Sequence, residues 1–252
     1  MDVDNLLVSG TENTQNTWMD AKVDGIAVTP RNGKAVEINS MWYNSLKIME
    51  KLCKRYNKNS MAKRYKELAQ KTKNSFDDKF YNRRRKCLYD VLGDSKIRPN
   101  QLFALSLTYP IVEPNSIEAN NIINVVEKKL LNNYGLKTLA KGEPNYVDIY
   151  EGDAFKRDMS YHQGITWSWL LELYYEALKN MVKFEKRKTY KTKLETKLKD
   201  FVEKEKQVFE KEINQRGCVG SIAEIYDSTK PYEPKGAIAQ AWSVGAICTM
   251  IL

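Results

Sequence analysis

Apolar residues at a spacing near 3.6 recur in seven separate stretches of this 252-residue chain, and nowhere do apolar and polar residues alternate long enough to build a sheet. The spacing predicts helices over about 36–56, 60–79, 99–108, 116–133, 161–182, 188–212 and 236–251. In the first of these, VEINSMWYNSLKIMEKLCKRY, Met41, Leu46, Ile48 and Leu52 are expected to share one broad buried face. Ser60, Asn115 and Ser116 stand near expected helix starts, and Gly135 and Gly217 just past expected ends. Only short stretches such as GIAVTPR at 25–31 carry a β tendency, so the expected class is all-α. Neither an internal repeat nor a dividing linker is visible, and residues 1–252 are expected to form a single domain.

At 42% hydrophobic residues the chain can bury a substantial core, and its 29% charged residues with clear periodicity argue against disorder despite a net charge of +9. Residues 179–212 hold 12 Lys/Arg against 7 Asp/Glu, the pattern of a solvated, ion-paired helix face. A nucleic-acid surface would interleave aromatic residues with such a run, and here they lie elsewhere. Cys53, Cys87, Cys218 and Cys248 form no CxxC pair and read as ordinary thiols. His162 is the only histidine, which excludes a His-rich metal site and favours metal-free carboxylate chemistry. The acidic N-terminus MDVDNLLVSG does not read as an export signal, and GAIAQAWSVGAICTMIL at 236–252 reads as a buried helix rather than a membrane span, so the default is a cytoplasmic protein.

Trp, Asp, Glu, Gly and Pro concentrate between the helices, at 16–33, 86–99, 141–160 and 217–236, where a helical scaffold can carry binding groups. Indole and phenol rings beside carboxylates and amides suit a sugar, whose C–H faces pack on rings while its hydroxyls take hydrogen bonds.

The motifs TWMDA at 17–21, TPRNGK at 29–34, VEINSMWYN at 36–44, RPNQ at 98–101, YHQGITWSW at 161–169, SIAEIYD at 221–227 and PKGAIAQAWS at 234–243 occur in this order. Together they resemble the signature stretches of the glucosidase (amylo-α-1,6-glucosidase) module of glycogen debranching enzymes. That resemblance implies an (α/α)6 barrel of six inner and six outer helices, with the general acid on a loop before the sixth helix. A chain starting there would retain about seven helices. The expectation is therefore the later part of such a barrel with its first helices missing, a homo-oligomer or partner chain completing it.

The resemblance further implies inverting hydrolysis of α-1,6-linked glucose stubs of glycogen or limit dextrin, with no cofactor and no metal. Inversion needs a protonated carboxyl beside the leaving oxygen and a carboxylate about 6.5–9.5 Å away that activates water. Asp20 matches the acid, with Trp18 expected to bury it, and Glu224 matches the base. Substrate contacts are expected from Trp18, Arg31, Glu37, Asn39, Trp42, Arg98, Asn100, Gln101, His162, Trp167, Gln240 and Trp242. Glu37 could instead hold Arg31, the RPNQ residues could instead build a helix N-terminus, and His162 could be a core histidine. Asp24, Glu151, Asp153, Asp158 and Asp227 compete for the acidic roles, with Asp227 better suited to orienting its loop. Three rival functions remain open: a non-catalytic α-glucan-binding fragment, an all-α glycosidase with another substrate, and, on the pI of about 9.1 alone, a nucleic-acid binder.

Overall fold

The segments with helical spacing fold as helices, but loop chemistry moves their ends and adds strands that the spacing does not announce. A computed structural model describes residues 1–252 and contains eight α-helices: α1 (Val36–Arg55), α2 (Asn59–Lys79), α3 (Phe103–Ser106), α4 (Ile117–Lys129), α5 (Ala154–Ser160), α6 (Leu170–Phe184), α7 (Lys188–Gln215) and α8 (Ala241–Ile251). A 3-10 turn at Pro99–Leu102 runs into α3, so the stretch expected as one helix over 99–108 divides in two. The eighth helix, α5, is the short one missed by periodicity; Asp153 caps it, its Oδ1 accepting from the Lys156 amide at 2.9 Å. Ser116 caps α4 in the same way, its Oγ accepting from the Ala119 amide at 3.0 Å. Ser60 instead falls inside the first turn of α2, and Gly135 precedes a strand rather than closing a helix.

α1 carries Glu37 in its first turn and Lys54 and Arg55 in its last, the order that the helix dipole favours. It turns through Asn57 into α2, and the two pack along each other as a hairpin. The buried face expected on α1 is only partly realised. Leu46 is buried, whereas Met41, Ile48 and Leu52 are each 38–40% exposed. The inward positions belong instead to Val36, Asn39, Ser40, Glu50 and Cys53; Asn39 anchors the Leu7 segment, while Ser40 bonds the Val36 carbonyl and Glu50 pairs with Lys47 and Lys54 of the same helix.

The core gathers round α6, whose Leu171, Tyr174, Leu178 and Met181 lie at helical spacing and pack with Leu105, Val126 and Phe209 from the surrounding helices. Complete burial of each such side chain contributes on the order of 1.5–3 kcal/mol.

The expected absence of any sheet needs correction. Eight two-residue strands form two hairpins, β1 (Lys22–Val23) with β2 (Ile26–Ala27) and β3 (Tyr81–Asn82) with β4 (Cys87–Leu88). They also form a four-stranded antiparallel sheet in the order β5 (Leu136–Lys137), β6 (Thr166–Trp167), β7 (Ile225–Tyr226) and β8 (Pro234–Lys235). Two residues cannot display a period of two, so the pattern is invisible in the sequence. β6 also explains why α6 starts at Leu170 rather than 161. No helix is long and apolar enough to cross a membrane.

Candidate active site

The segment bearing Asp20 is held from both ends. Downstream, Asp24 and Gly25, with φ of 48° and 79°, make the two-residue turn of the β1–β2 hairpin, which identifies Asp24 as a turn residue. Upstream, Trp18 and the buried Met19 point inward while the Asp20 side chain is exposed. The burial of Asp20 expected from Trp18 is therefore not realised; the indole instead donates to Asn100 Oδ1 at 2.7 Å.

Asn100 belongs to a buried polar frame. Arg31 grips Glu37 with both terminal nitrogens and Asp90 through Nε (2.6 Å to Oδ2) and Nη2 (3.1 Å to Oδ1). Burial works against the Arg31 charge, but Asp90 and Glu37 outweigh it and hold the guanidinium above its ordinary pKa range. Arg98 donates to the carbonyls of Thr138 (2.9 Å) and His162 (2.7 Å) and to Gln163 Oε1 (2.8 Å). Gln101 bonds the Arg98 carbonyl and receives the Leu88 amide. Asn39 ties down residue 7, accepting from the Leu7 amide at 2.7 Å and donating to the Leu7 and Ala35 carbonyls. Trp42 lies behind it, its indole donating to the Asn5 carbonyl. The polar groups of Arg31, Glu37, Asn39, Arg98, Asn100 and Gln101 thus face protein partners, and these residues fasten five of the motif segments to one another.

In front of this frame stands an aromatic cluster. Trp18 meets His162, Trp167 and Trp169 edge-on, with ring centres 5.4, 5.5 and 5.0 Å away. His162 stacks on Trp167 at 5.3 Å, and Trp242 stacks on Trp169 at 5.0 Å. Trp242, at the start of α8, is 40% exposed and forms the open end of the cluster, whereas Trp167 on β6 is buried. His162 is fully buried with both ring nitrogens unpartnered, as is the Trp169 indole nitrogen. Burial, followed by the charges of Arg98 and Arg31, pushes the His162 pKa down to about 3, so the ring is neutral at physiological pH.

Glu224 immediately precedes β7, and its two carboxylate oxygens are separately oriented: Oε1 accepts from Gln240 Nε2 at 3.1 Å and Oε2 from the Ala237 amide at 3.0 Å. Gly236, at φ 70°, permits this approach, since a Cβ there would collide with Oε2. Glu224 lines an open cavity of about 760 Å³ with Tyr150, Glu151, Arg157 and Lys235. Asp20 lies outside this lining. Tyr161 has a raised pKa, through burial first and then the neighbouring Glu224 carboxylate and the charges of Tyr150 and Asp20. The Tyr161 ring packs on Trp167 (4.9 Å) and His162 (4.8 Å) and so belongs to the aromatic cluster. Asp227 accepts the Tyr150 amide at 2.8 Å and so holds the loop above the cavity.

Sequence reasoning passed over Tyr161 and Asp90. Tyr161 stands in the YHQG motif beside the histidine that drew attention, and Asp90 in the acid- and glycine-bearing loop 86–99. No group of His, Cys, Asp and Glu side chains is placed to hold a metal ion.

Residues 1–249 match the model of a protein family described as amylo-alpha-1,6-glucosidase. Glycogen debranching enzyme of Saccharomyces cerevisiae is 25% identical over a region covering 68% of this chain and 14% of that enzyme. Among solved structures, a sialidase superposes with a TM-score of 0.64 at 14% identity, over 85% of this chain and 19% of its own. Neutral trehalase from Saccharomyces cerevisiae superposes with a TM-score of 0.60 at 14% identity, over 86% and 37%. At such identities the superpositions speak for the fold, the helical architecture of (α/α)6-barrel glycosidases. The chain spans between about one seventh and two fifths of the length of these proteins.

Proposed function

We propose, from the premise that this chain belongs to the amylo-alpha-1,6-glucosidase family, that Asp20 and Glu224 are the acid and base of an inverting hydrolysis of α-1,6-linked glucose stubs on glycogen or limit dextrin in the cytoplasm. The observation that carries the reading is the setting of Glu224, whose two oxygens are each oriented by one neutral donor at the edge of an open cavity, beside an aromatic cluster that includes Tyr161 and Trp167. Asp20, free of protein partners and exposed at the end of an anchored segment, would hand its proton to the leaving oxygen. Glu224, with each oxygen already turned by one donor, would take the proton of a water attacking the opposite face of the sugar. Two carboxyls suffice for this chemistry. Trp242 and the cavity beside Glu224 would receive the rings of the glucan.

Glucose release from phosphorylase limit dextrin tests this, with the anomeric form of the product read by NMR. Asp20→Asn and Glu224→Gln should each slow release by a factor of about 10²–10⁴ while leaving thermal unfolding unchanged. Parent-rate hydrolysis by both variants would reject the assignment. A second reading, glucan binding without hydrolysis, is favoured by the small share of the yeast enzyme that the chain spans. It predicts retention on limit dextrin with no glucose released.

A further inference from the structure

Between the buried frame and the exposed acid runs a relay that begins at Asp90. Asp90 is 2% exposed and faces two cationic side chains, Arg31 and, with Nε 3.8 Å away, Arg98. Its backbone carbonyl also accepts the Val36 amide at 2.9 Å, which seats it against the start of α1. The carboxylate Oδ1 accepts from Asn100 Nδ2 at 2.8 Å, and Asn100 Oδ1 accepts from the Trp18 indole at 2.7 Å. Every link has one permitted direction. An indole N–H can only donate and a carboxylate can only accept, so the fully buried Asn100 amide has a single orientation that satisfies both neighbours. Trp18 is then held by a hydrogen bond at its nitrogen and by three aromatic rings around its edge, two residues before Asp20.

We propose that Asp90 is a positioning residue for the acid-bearing segment: by locking the Asn100 amide it fixes the Trp18 indole, and with it the place from which Asp20 acts. The catalytic half of this statement rests on Asp20 being the acid; the structural half does not. Such supporting residues matter because a reacting group displaced by about 1 Å can cost on the order of a hundredfold in rate.

Asp90→Asn is nearly isosteric and leaves Arg31 its bond to Glu37, but it gives the Asn100 amide a partner that can both donate and accept. In the full chain labelled with ¹⁵N at tryptophan, the indole N–H resonance of Trp18 is identified by its loss in Trp18→Phe. Asp90→Asn should move this resonance while leaving those of Trp42 and Trp242 in place. On limit dextrin it should lower kcat by about tenfold with KM changed less than twofold, and in a Trp18→Phe background it should lower kcat by less than a further twofold. Asn100→Ala, which keeps the Arg31–Asp90 pair, must move the same resonance, and it stands in if Asp90→Asn does not fold. An unmoved Trp18 resonance in these variants, or full additivity of Asp90→Asn with Trp18→Phe, overturns the proposal. A parent chain that releases no glucose would count against the catalytic reading alone, and the indole resonance would still decide whether Asp90 positions Trp18.

Discussion

The frame behind Trp18 and the surface in front of it use the same residue types to opposite ends. Behind, Asp90, Glu37, Arg31, Arg98 and Asn100 are buried with their polar groups engaged by protein. In front, Asp20 is exposed, and Glu224 is turned by two neutral donors at the edge of a cavity, with no ion pair. Charge in the frame is neutralised and immobile; the carboxyl groups at the front are open to approach. A carboxylate held by arginine is a fastener, and one oriented by an amide and left open to water can act as a base. Position in this division, rather than presence in a motif, separates the two sets.

The sharpest way to break the comparison is to unfasten the frame. Arg31→Met strands two buried carboxylates and should destabilise the protein by about 3–5 kcal/mol, read from urea unfolding. That is the converse of Glu224→Gln, which under the proposed function should lose activity and keep its stability. Equal loss of stability in both variants would erase the distinction.

A smaller effect should come from Glu205 on α7, a fully buried acid that belongs to neither set. Burial pushes its pKa up to about 7 from the ordinary 4.5, opposed by Lys204. Below about pH 4.5 the carboxyl is protonated in the folded and unfolded chain alike and costs nothing. As pH rises from there to about 7 the unfolded chain releases the proton first, so stability falls, and above 7 the deficit is constant at about 3 kcal/mol. Glu205→Gln should remove this slope and be the more stable form at pH 8, as urea melts at pH 5 and 8 would reveal.

The smallest effect is expected on α1. Ile48→Thr should change stability by less than about 0.5 kcal/mol, whereas Leu46→Ala, two residues away, should cost about 2–5 kcal/mol. A large loss at Ile48 would mean that its face is covered in solution.

α1 also marks how far the sequence could be read. Its limits were legible because twenty residues give several turns of periodicity, and α2 and α7 were legible for the same reason. Which apolar residues of α1 face inward was not, because that depends on what packs against the helix, and Asn39 and Glu50 take inward places that hydropathy assigns to Ile48 and Leu52. The β5–β8 sheet left no trace, since each strand is two residues long. In the site, Asp20 and Glu224 stood out through the motifs around them. Asp90 did not, because a single aspartate in a loop becomes informative only when its partners, Arg31 and Asn100, are known to surround it.

The frame's hydrogen bonds join distant parts of the chain: Trp18 and Asn100 are 82 positions apart, and Gln163 and Thr29 are 134 apart. Closing loops of that size costs chain entropy before the contact returns any stabilisation, whereas α1, α2 and α7 can gain most of their internal hydrogen bonds locally. Helix content and compactness should therefore develop early in refolding, and the Trp18–Asn100 link late. A newly made chain would look folded to circular dichroism before the segment carrying Asp20 had a fixed place.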